Sequence, residues 1–224
     1  MEAAKGIPTG APVLDPAAVF TPPTIGPRDY SHMWAAATLR GTDGPVRELP
    51  DITGTTPLAT GTTGVRFVDG PCPVVTIAAG ADRMSAPGQA PPTGQTVLLV
   101  ARLAAAKSAQ IGVPGWVIGG GATGKLTVSG TTTASFQSSP PARLAVYLLT
   151  LTAGRVTASI DGTSAGPDLA LQPSASTRYT LGTNVYSSDV SEEYALLKVW
   201  PRVLTAEEQA QALTDARTAL TLTV

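Results

Sequence analysis

Charged residues are scarce in this sequence, and cysteine and histidine each occur only once. Asp, Glu, Lys and Arg make up 14% of the 224 residues, a low fraction for a globular domain. The formal net charge is −1 and no basic stripe is present, so the composition argues against a nucleic-acid partner. The lone cysteine, Cys72, excludes an intrachain disulfide and is interpreted as a small buried hydrophobe.

Long apolar runs are missing as well. No stretch approaches the roughly 18 apolar residues that a membrane helix needs. Residues 1–6 also lack the apolar region of a signal peptide. We therefore expect a protein that is made in the cytoplasm, is not exported through a visible signal and has no membrane partner.

Glycine, proline and hydrophobic residues are plentiful instead. With 23 Gly, 20 Pro and 43% hydrophobic residues, the chain has many turns and enough apolar side chains for one large core. Short stretches rich in strand-forming residues recur between the turns. The main predicted strands are 65–68, 74–77, 96–101, 116–118, 125–128, 143–152, 155–160 and 194–200. This pattern predicts an all-β domain, in which the uninterrupted apolar run 96–101 is a central strand buried on both faces.

Residues 1–44 differ from the rest of the chain. Prolines follow one another too closely for a strand or a long helix, yet Val19, Phe20, Trp34 and other apolar residues lie between them. A disordered tail has few such residues. We therefore predict an extended Pro-rich arm over 1–44 that packs on its own domain or on a neighbouring subunit. The arm includes one short predicted helix over residues 31–39.

One strong helix signal comes near the end of the sequence. Residues 205–208, Thr-Ala-Glu-Glu, have the form of a capping box. In such a box the Thr205 hydroxyl and the Glu208 carboxylate each accept a hydrogen bond from the other residue's amide. Small and apolar residues follow at helical spacing. The sequence thus predicts a short C-terminal helix over about 205–220.

The C-terminal half also carries a specific order of elements. A strand ends at Asp161-Gly162, another precedes Leu181-Gly182, and the last runs into Arg202, Leu204, Thr205, Glu207 and Glu208 at the helix start. This order resembles concanavalin A-like, laminin-G-like domains over about residues 140–220, and only loosely over 46–140. The resemblance implies a two-sheet antiparallel jelly-roll sandwich over 45–224. It also implies an adhesive or carbohydrate-binding role, sometimes calcium-dependent, as in bacteriophage minor tail and other virion proteins.

Three patterns that suggest catalysis or nucleotide binding lack a required part. Residues 119–125 fit a phosphate-binding loop, but Leu126 follows where Ser or Thr is needed, so a glycine-rich hairpin is expected. His32 lies in the predicted arm, where we interpret it as hydrogen-bonded or exposed. Glu192 and Glu193 are adjacent, so on a strand they point to opposite faces and cannot act as paired glycosidase carboxylates. We therefore expect no catalytic residues and no enzyme activity.

The candidate ligand-binding residues lie near predicted loops and turns. They are Asn184, Tyr186, Asp189 and Asp161. Tyr186 offers a ring on which a sugar can stack. Asp161, Asp168, Asn184 and Asp189 could supply oxygen ligands to calcium, but isolated turn acids explain them equally well. We assign no metal site and no cofactor, and calcium binding remains an alternative.

Two functions remain. The first is a structural protein of a bacteriophage virion, either a minor tail or a capsid-decoration protein. Its lectin-like domain would contact a host-surface glycan or neighbouring subunits, and its arm would bind other virion subunits, normally in a homo-oligomer. The alternative is a free carbohydrate-binding lectin module. Fold alone does not decide between them.

Overall fold

The computed structural model describes residues 24–40, 44–54, 56–61, 64–78, 83–103, 110–121, 123–182 and 192–219. Within these residues the chain forms sixteen β-strands, one 3-10 turn and one α-helix. The strands are β1 (His32–Ala35), β2 (Glu48–Leu49), β3 (Leu58–Ala59), β4 (Val65–Val68), β5 (Val74–Ile77), β6 (Met84–Pro87), β7 (Gly94–Arg102), β8 (Ile111–Val113), β9 (Trp116–Gly120), β10 (Leu126–Ser129), β11 (Thr133–Ser135), β12 (Ala145–Thr152), β13 (Arg155–Ile160), β14 (Thr163–Ser164), β15 (Arg178–Leu181) and β16 (Glu192–Trp200). The 3-10 turn is Ala36–Leu39 and the helix, α1, is Ala206–Ala219.

The strands form two antiparallel sheets. Sheet A has the order β14-β13-β12-β7-β16-β5-β4, and β1 pairs with β16 on the same edge of β16 as β5. Sheet B has the order β11-β10-β9-β8-β15-β6-β3-β2. The predicted two-sheet antiparallel sandwich with a C-terminal helix is confirmed. The glycine-rich hairpin is confirmed too, because β9 and β10 pair across residues 119–126 and no helix follows.

The main core lies between the two sheets. Alternation along β7 and β12 points every second side chain inward, and sheet B supplies the opposing layer. The inward-facing residues include Val97, Leu99, Ala101, Tyr147, Leu149 and Leu151 from sheet A, and Ile111, Ile118, Leu126, Val128 and Leu181 from sheet B. All of them are buried, so this layer accounts for most of the apolar content of the strands.

Sheet A is also covered over part of its outer face. Ala212 and Ala216 of α1, together with Ile25 from the segment before β1, cover Leu98 and Leu148. This second layer explains the uninterrupted apolar run of β7, since neither face of that strand reaches water. Among the described residues no helix is long and apolar enough to cross a membrane.

The structure differs from the sequence prediction over residues 31–39. The predicted short helix is wrong, because His32–Ala35 forms strand β1 and only Ala36–Leu39 turns as a 3-10 helix. Pairing with β16 decides this, since it buries Trp34 in the inner core and Met33 on the outer face. Tertiary pairing here overrides local helix propensity. Residues 24–40, which the sequence places in the arm, thus lie against the chain's own sheet, while residues 1–23 lie outside the described residues.

Candidate functional site

An aromatic cluster marks one rim of the sandwich. His32 and Trp34 are two residues apart on β1, so both point into the space between the sheets. Their rings stack with centroids 5.0 Å apart and an interplanar angle of 9°. Tyr179 of β15 approaches from sheet B, with centroids 4.8 Å from His32 and 5.0 Å from Trp34. The three rings therefore join the two sheets at this rim, and the Trp34 indole N–H donates to the Thr56 carbonyl at 2.9 Å.

A buried carboxylate holds the histidine ring. Asp51 Oδ2 lies 2.8 Å from His32 Nδ1, and the Asp51 side chain is 0% exposed while that of His32 is 16% exposed. Asp51 Oδ1 accepts from the amides of Met33 and Thr53 at 3.1 Å each, and the Thr53 hydroxyl donates to Oδ2 at 2.5 Å. The short side chain of Asp51 thus closes an Asx-type turn over its own loop and ties that loop to β1.

These contacts set the charge of the site. Burial alone raises the pKa of Asp51, but the hydrogen bonds from His32, Thr53 and the Met33 amide outweigh burial and hold the pKa at about 2. Because the carboxylate is ionised, the neutral imidazole carries its proton on Nδ1 and leaves Nε2 as an acceptor. Burial raises the pKa of the neighbouring Tyr179 phenol, so that group stays protonated.

The exposed part of the imidazole borders a small cleft of about 100 Å³. The lining combines polar and rigid apolar groups from both sheets and from the loop between β6 and β7. The lining residues are Ser31, His32, Gln89, Ala90, Pro92, Gln95, Pro114, Tyr179, Val199 and Pro201. The Ser31 hydroxyl donates to the Val199 carbonyl at 3.1 Å and also forms a side-chain hydrogen bond with the Tyr179 phenol. The cleft can therefore hydrogen-bond a polar group while three prolines fix its shape.

Two glycines allow the main chain to pack closely at the walls of the cleft. Gly115 has a φ of +86° in the turn between β8 and β9, a conformation that favours glycine, and its position places Pro114 at the cleft. A Cβ on Gly88 would lie 2.6 Å from the Thr177 carbonyl oxygen and 3.0 Å from the Tyr179 ring. Glycine at position 88 thus lets the loop that carries Gln89 lie against β15. Gln95 supports the same wall by donating to the Pro114 carbonyl at 2.8 Å.

The ligand-binding residues predicted from the sequence are not part of this cleft where they are described. Asp161 has a φ of +50° in the turn after β13, and its carboxylate accepts from the Val146 amide at 2.9 Å and from Arg143 at 2.8 Å. Its side chain therefore fastens the turn to β12. Asn184, Tyr186 and Asp189 lie outside the described residues, so their proposed role stays a prediction.

The other acidic residues have structural partners. Asp168 forms an ion pair with Arg155, and Glu193 pairs with Arg102 at 2.7 Å. The buried Glu192 accepts a hydrogen bond from the Tyr194 hydroxyl at 2.5 Å, so the two adjacent glutamates face different environments, as the strand pattern predicts. Within the described ranges, no three His, Cys, Asp or Glu side chains cluster in a way that could hold a metal ion. Calcium stays an untested expectation.

Sequence reasoning missed the His32 site because it separated residues 1–44 from the domain. The signal was present in Asp51-Ile52-Thr53-Gly54, since Asp followed two residues later by Thr and then by Gly favours an Asx turn. That pattern predicts the turn. It does not predict that His32, 19 residues earlier, lies beside it.

The solved structures similar to this chain share its sandwich. A Trypanosoma rangeli sialidase in complex with sialic acid matches with a TM-score of 0.64 and 9% identity, over 88% of this chain and 34% of the sialidase chain. The binding domain of botulinum neurotoxin serotype G matches with a TM-score of 0.63 and 11% identity, over 84% of this chain and 51% of that chain. No protein-family model and no curated protein matches the sequence. The fold is therefore a two-sheet sandwich of the jelly-roll kind, and the chain spans about a third of the sialidase chain and half of the toxin-domain chain.

These matches correct one expectation. The sequence led to the prediction that the chain is not an enzyme. That prediction is wrong, because the solved structures that share this fold include sialidases. At 8–11% identity the likeness shows the fold alone and transfers no catalytic residue to this chain.

Proposed function

We propose that this chain is a saccharide-binding module and that the cleft beside His32 is its binding site. One observation carries the proposal. The buried, ionised Asp51 holds the imidazole at the mouth of a cleft whose other walls are polar side chains and prolines. Such a combination of rigid apolar walls with a few positioned polar groups is typical of small-molecule sites.

The chemistry of the cleft suits a sugar better than an ion. His32 Nε2 accepts a hydrogen bond from a sugar hydroxyl when the imidazole is neutral, and Gln89 both donates and accepts. At about 100 Å³ the cleft admits a substituent or one edge of a sugar ring, while the rest of the saccharide lies on the rim outside.

The fold comparison is consistent with a binding role. One of the similar structures is a sialidase that holds sialic acid, and another is the binding domain of a neurotoxin. For this chain we infer from them only that a jelly-roll sandwich of this shape is compatible with binding. The residues that we assign to the task are those of the His32 cleft.

Glycan-array binding by the full chain tests the proposal. We expect a reproducible signal on a subset of glycans that His32→Ala and, separately, Gln89→Ala both weaken. Gln89 lies on an exposed loop, so its substitution separates loss of binding from loss of folding. Thr133→Val, on the exposed strand β11 of sheet B, is the matched control and should bind as the wild type does. Binding that survives both cleft substitutions would remove the site from consideration.

The setting in which the module acts is a second, finer proposal. The Pro-rich segment 1–23 carries Val13, Leu14, Val19 and Phe20, and the whole chain is only 14% charged. Both features favour a subunit that contacts neighbours, such as a minor tail or capsid-decoration protein of a bacteriophage virion, made in the host cytoplasm and assembled as a homo-oligomer. Particle fractionation tests this. Full-length protein in the particle, lost on deletion of residues 1–23, supports it, whereas a stable monomer absent from particles favours a free lectin module.

A further inference from the structure

The outer face of sheet A changes from apolar to polar along one strand. On β12, Val146 and Leu148 lie under α1 in the outer core, but the next residues on that face are Thr150 and Thr152. The neighbouring strand β13 continues this polar surface, because Thr150 pairs with Thr157 in the ladder. The hydroxyls of Thr150 and Thr157 have no hydrogen-bond partner among the described residues.

The segment between β16 and α1 lies beside these threonines. Thr96 donates from its hydroxyl to the Arg202 carbonyl at 3.1 Å and accepts from the Leu204 amide at 3.0 Å, which pins the segment between β16 and α1 to the sheet. The segment passes over Gly94, where a Cβ would lie 3.0 Å from Val203. Val203 is held in this position although its side chain is 43% exposed, one of two large hydrophobic residues so exposed in the described part of the chain.

The threonine surface and the segment between β16 and α1 border an open groove of about 290 Å³. Its lining residues are Thr150, Thr152, Arg155, Thr157, Val203 and Gln209. Gln209 is held by donating its amide to the Leu204 carbonyl at 2.9 Å, and Arg155 stands at the open side in an ion pair with Asp168. The groove is near the low end of the size range of small-molecule sites, roughly 300–1,000 Å³.

We propose that this threonine groove is a second saccharide subsite. Its two unpartnered hydroxyls and the Gln209 oxygen match the hydroxyls of a sugar, while Val203 and the threonine methyl groups offer an apolar surface for the C–H face of a ring. Pro201 borders the His32 cleft and Val203 borders the groove, so the two sites flank the same short segment of chain. The groove therefore extends the binding edge toward the next sugar units of an oligosaccharide.

The inference takes its ligand class from the proposed function but does not depend on the His32 cleft. An ordinary solvated sheet face also carries threonines. What separates the groove from such a face is the segment between β16 and α1, which Thr96 holds against the sheet, and the exposed Val203 on that segment. The test must therefore remove hydroxyls without altering shape or strand propensity.

The double variant Thr150→Val, Thr157→Val meets that requirement, since Val replaces each hydroxyl by a methyl of similar size and favours strands equally. Isothermal titration with sialyllactose and with N-acetyllactosamine oligomers of increasing length compares it with the wild type and with Thr133→Val. We expect about tenfold weaker binding of the longer oligomers by the double variant, the value of two neutral hydrogen bonds. Binding of the shortest sugar should change little.

Each other outcome is decisive. Wild-type affinity of the double variant for every oligomer, with binding still sensitive to Gln89→Ala, overturns the groove and leaves the proposed function standing. Loss of binding in the double variant with no effect of Gln89→Ala supports the groove and overturns the cleft. No binding by the wild type to any of these sugars overturns both.

Discussion

At the scale of single residues, the ionised Asp51 carboxylate stabilises the rim of the sandwich that carries His32. Its folded-state pKa of about 2 lies below the ordinary value of 3.8, so the protein releases its proton more readily folded than unfolded. The stabilisation is therefore fully present above about pH 4 and is lost as the pH falls through 2. The contacts responsible are those from His32, Thr53 and the Met33 amide.

Asp51→Asn should lower the free energy of unfolding by about 2 kcal/mol at pH 7, because it removes the carboxylate that these donors stabilise. Urea unfolding at pH 7 and near pH 2 measures this. The difference between the variant and the wild type should shrink at the lower pH. Equal differences at both pH values would mean that the charge of Asp51 is not what these contacts stabilise.

Lys198 is a buried basic residue on the outer face of sheet A. It is 2% exposed and donates to the Ile25 carbonyl at 2.5 Å, with its ammonium 3.8 Å from the centre of the Tyr30 ring. Burial lowers the pKa of Lys198 to about 8, although Asp215 and Asp29 raise it in part. The residue therefore anchors the segment before β1 at the cost of burying a cation.

This predicts a pH dependence of the same sign as that of Asp51 but in a higher pH window, because folding lowers both pKa values. Between pH 8 and 10.5 the unfolded chain binds the Lys198 proton more strongly than the folded one, so the contribution of Lys198 to stability rises with pH. Lys198→Met should lack this rise, and the wild type should gain on the variant by up to about 3 kcal/mol across the window. Chemical unfolding at several pH values compares them. Parallel profiles would contradict the assignment.

At the scale of elements, the C-terminal helix begins where its capping box places it. The Thr205 amide donates to Glu208 at 2.9 Å, and the Glu208 amide donates to the Thr205 hydroxyl at 3.3 Å. Arg202 adds two hydrogen bonds to the same carboxylate, at 2.6 and 2.7 Å. The hydrogen bonds from Arg202 and the Thr205 amide hold the pKa of Glu208 at about 2, so the box stays charged under ordinary conditions.

Thr205→Ala should therefore cost about 1 kcal/mol of stability, the usual value of an N-cap. Thermal unfolding measures the change. Thr214→Ala is the control, because Thr214 lies inside the helix, where alanine is the better helix former, and its substitution should be neutral or slightly stabilising. A midpoint that is unchanged in Thr205→Ala and lowered in Thr214→Ala would contradict this account.

Strand β1 is the element that closes the rim. Trp34 is fully buried in the inner core and carries the stack with His32. Trp34→Ala should destabilise the protein by about 3–5 kcal/mol, as large-to-small substitutions in a core do. Val68→Ala on the edge strand β4, where the side chain is 47% exposed, should change stability little. A small effect of Trp34→Ala in urea unfolding would mean that residues 24–40 contribute little to the sandwich.

These elements also show what the sequence could and could not predict. Strands such as Val65–Val68, Val74–Ile77 and Arg155–Ile160 match their predicted bounds, because β-branched residues and turn signals define them locally. The capping box likewise depends on residues three apart. Strand β1 was missed because its pairing partner, β16, is more than 160 residues away in the chain. The His32 site was missed with it, since it joins β1, the Asp51 loop and β15 through tertiary contacts alone.

At the scale of the whole molecule, the chain is a sandwich with a third layer. The helix and the segment around Ile25 cover one half of the outer face of sheet A, and the threonine surface is the other half. The two clefts flank the 201–203 segment at the edge where that layer ends. Binding along this edge would leave the opposite rim of the sandwich available for neighbours.

The central claim is that a saccharide binds beside His32, and one property of the sequence makes the claim directly measurable. His32 is the only histidine, so its imidazole nitrogens give unique signals in the NMR spectrum of labelled full-length protein. Titration with the best-binding glycan of the array should shift the His32 Nε2 resonance together with the side-chain amide of Gln89, and leave Thr133 unmoved. A glycan that binds without moving the His32 signals would contradict the account and place the site elsewhere on the sandwich.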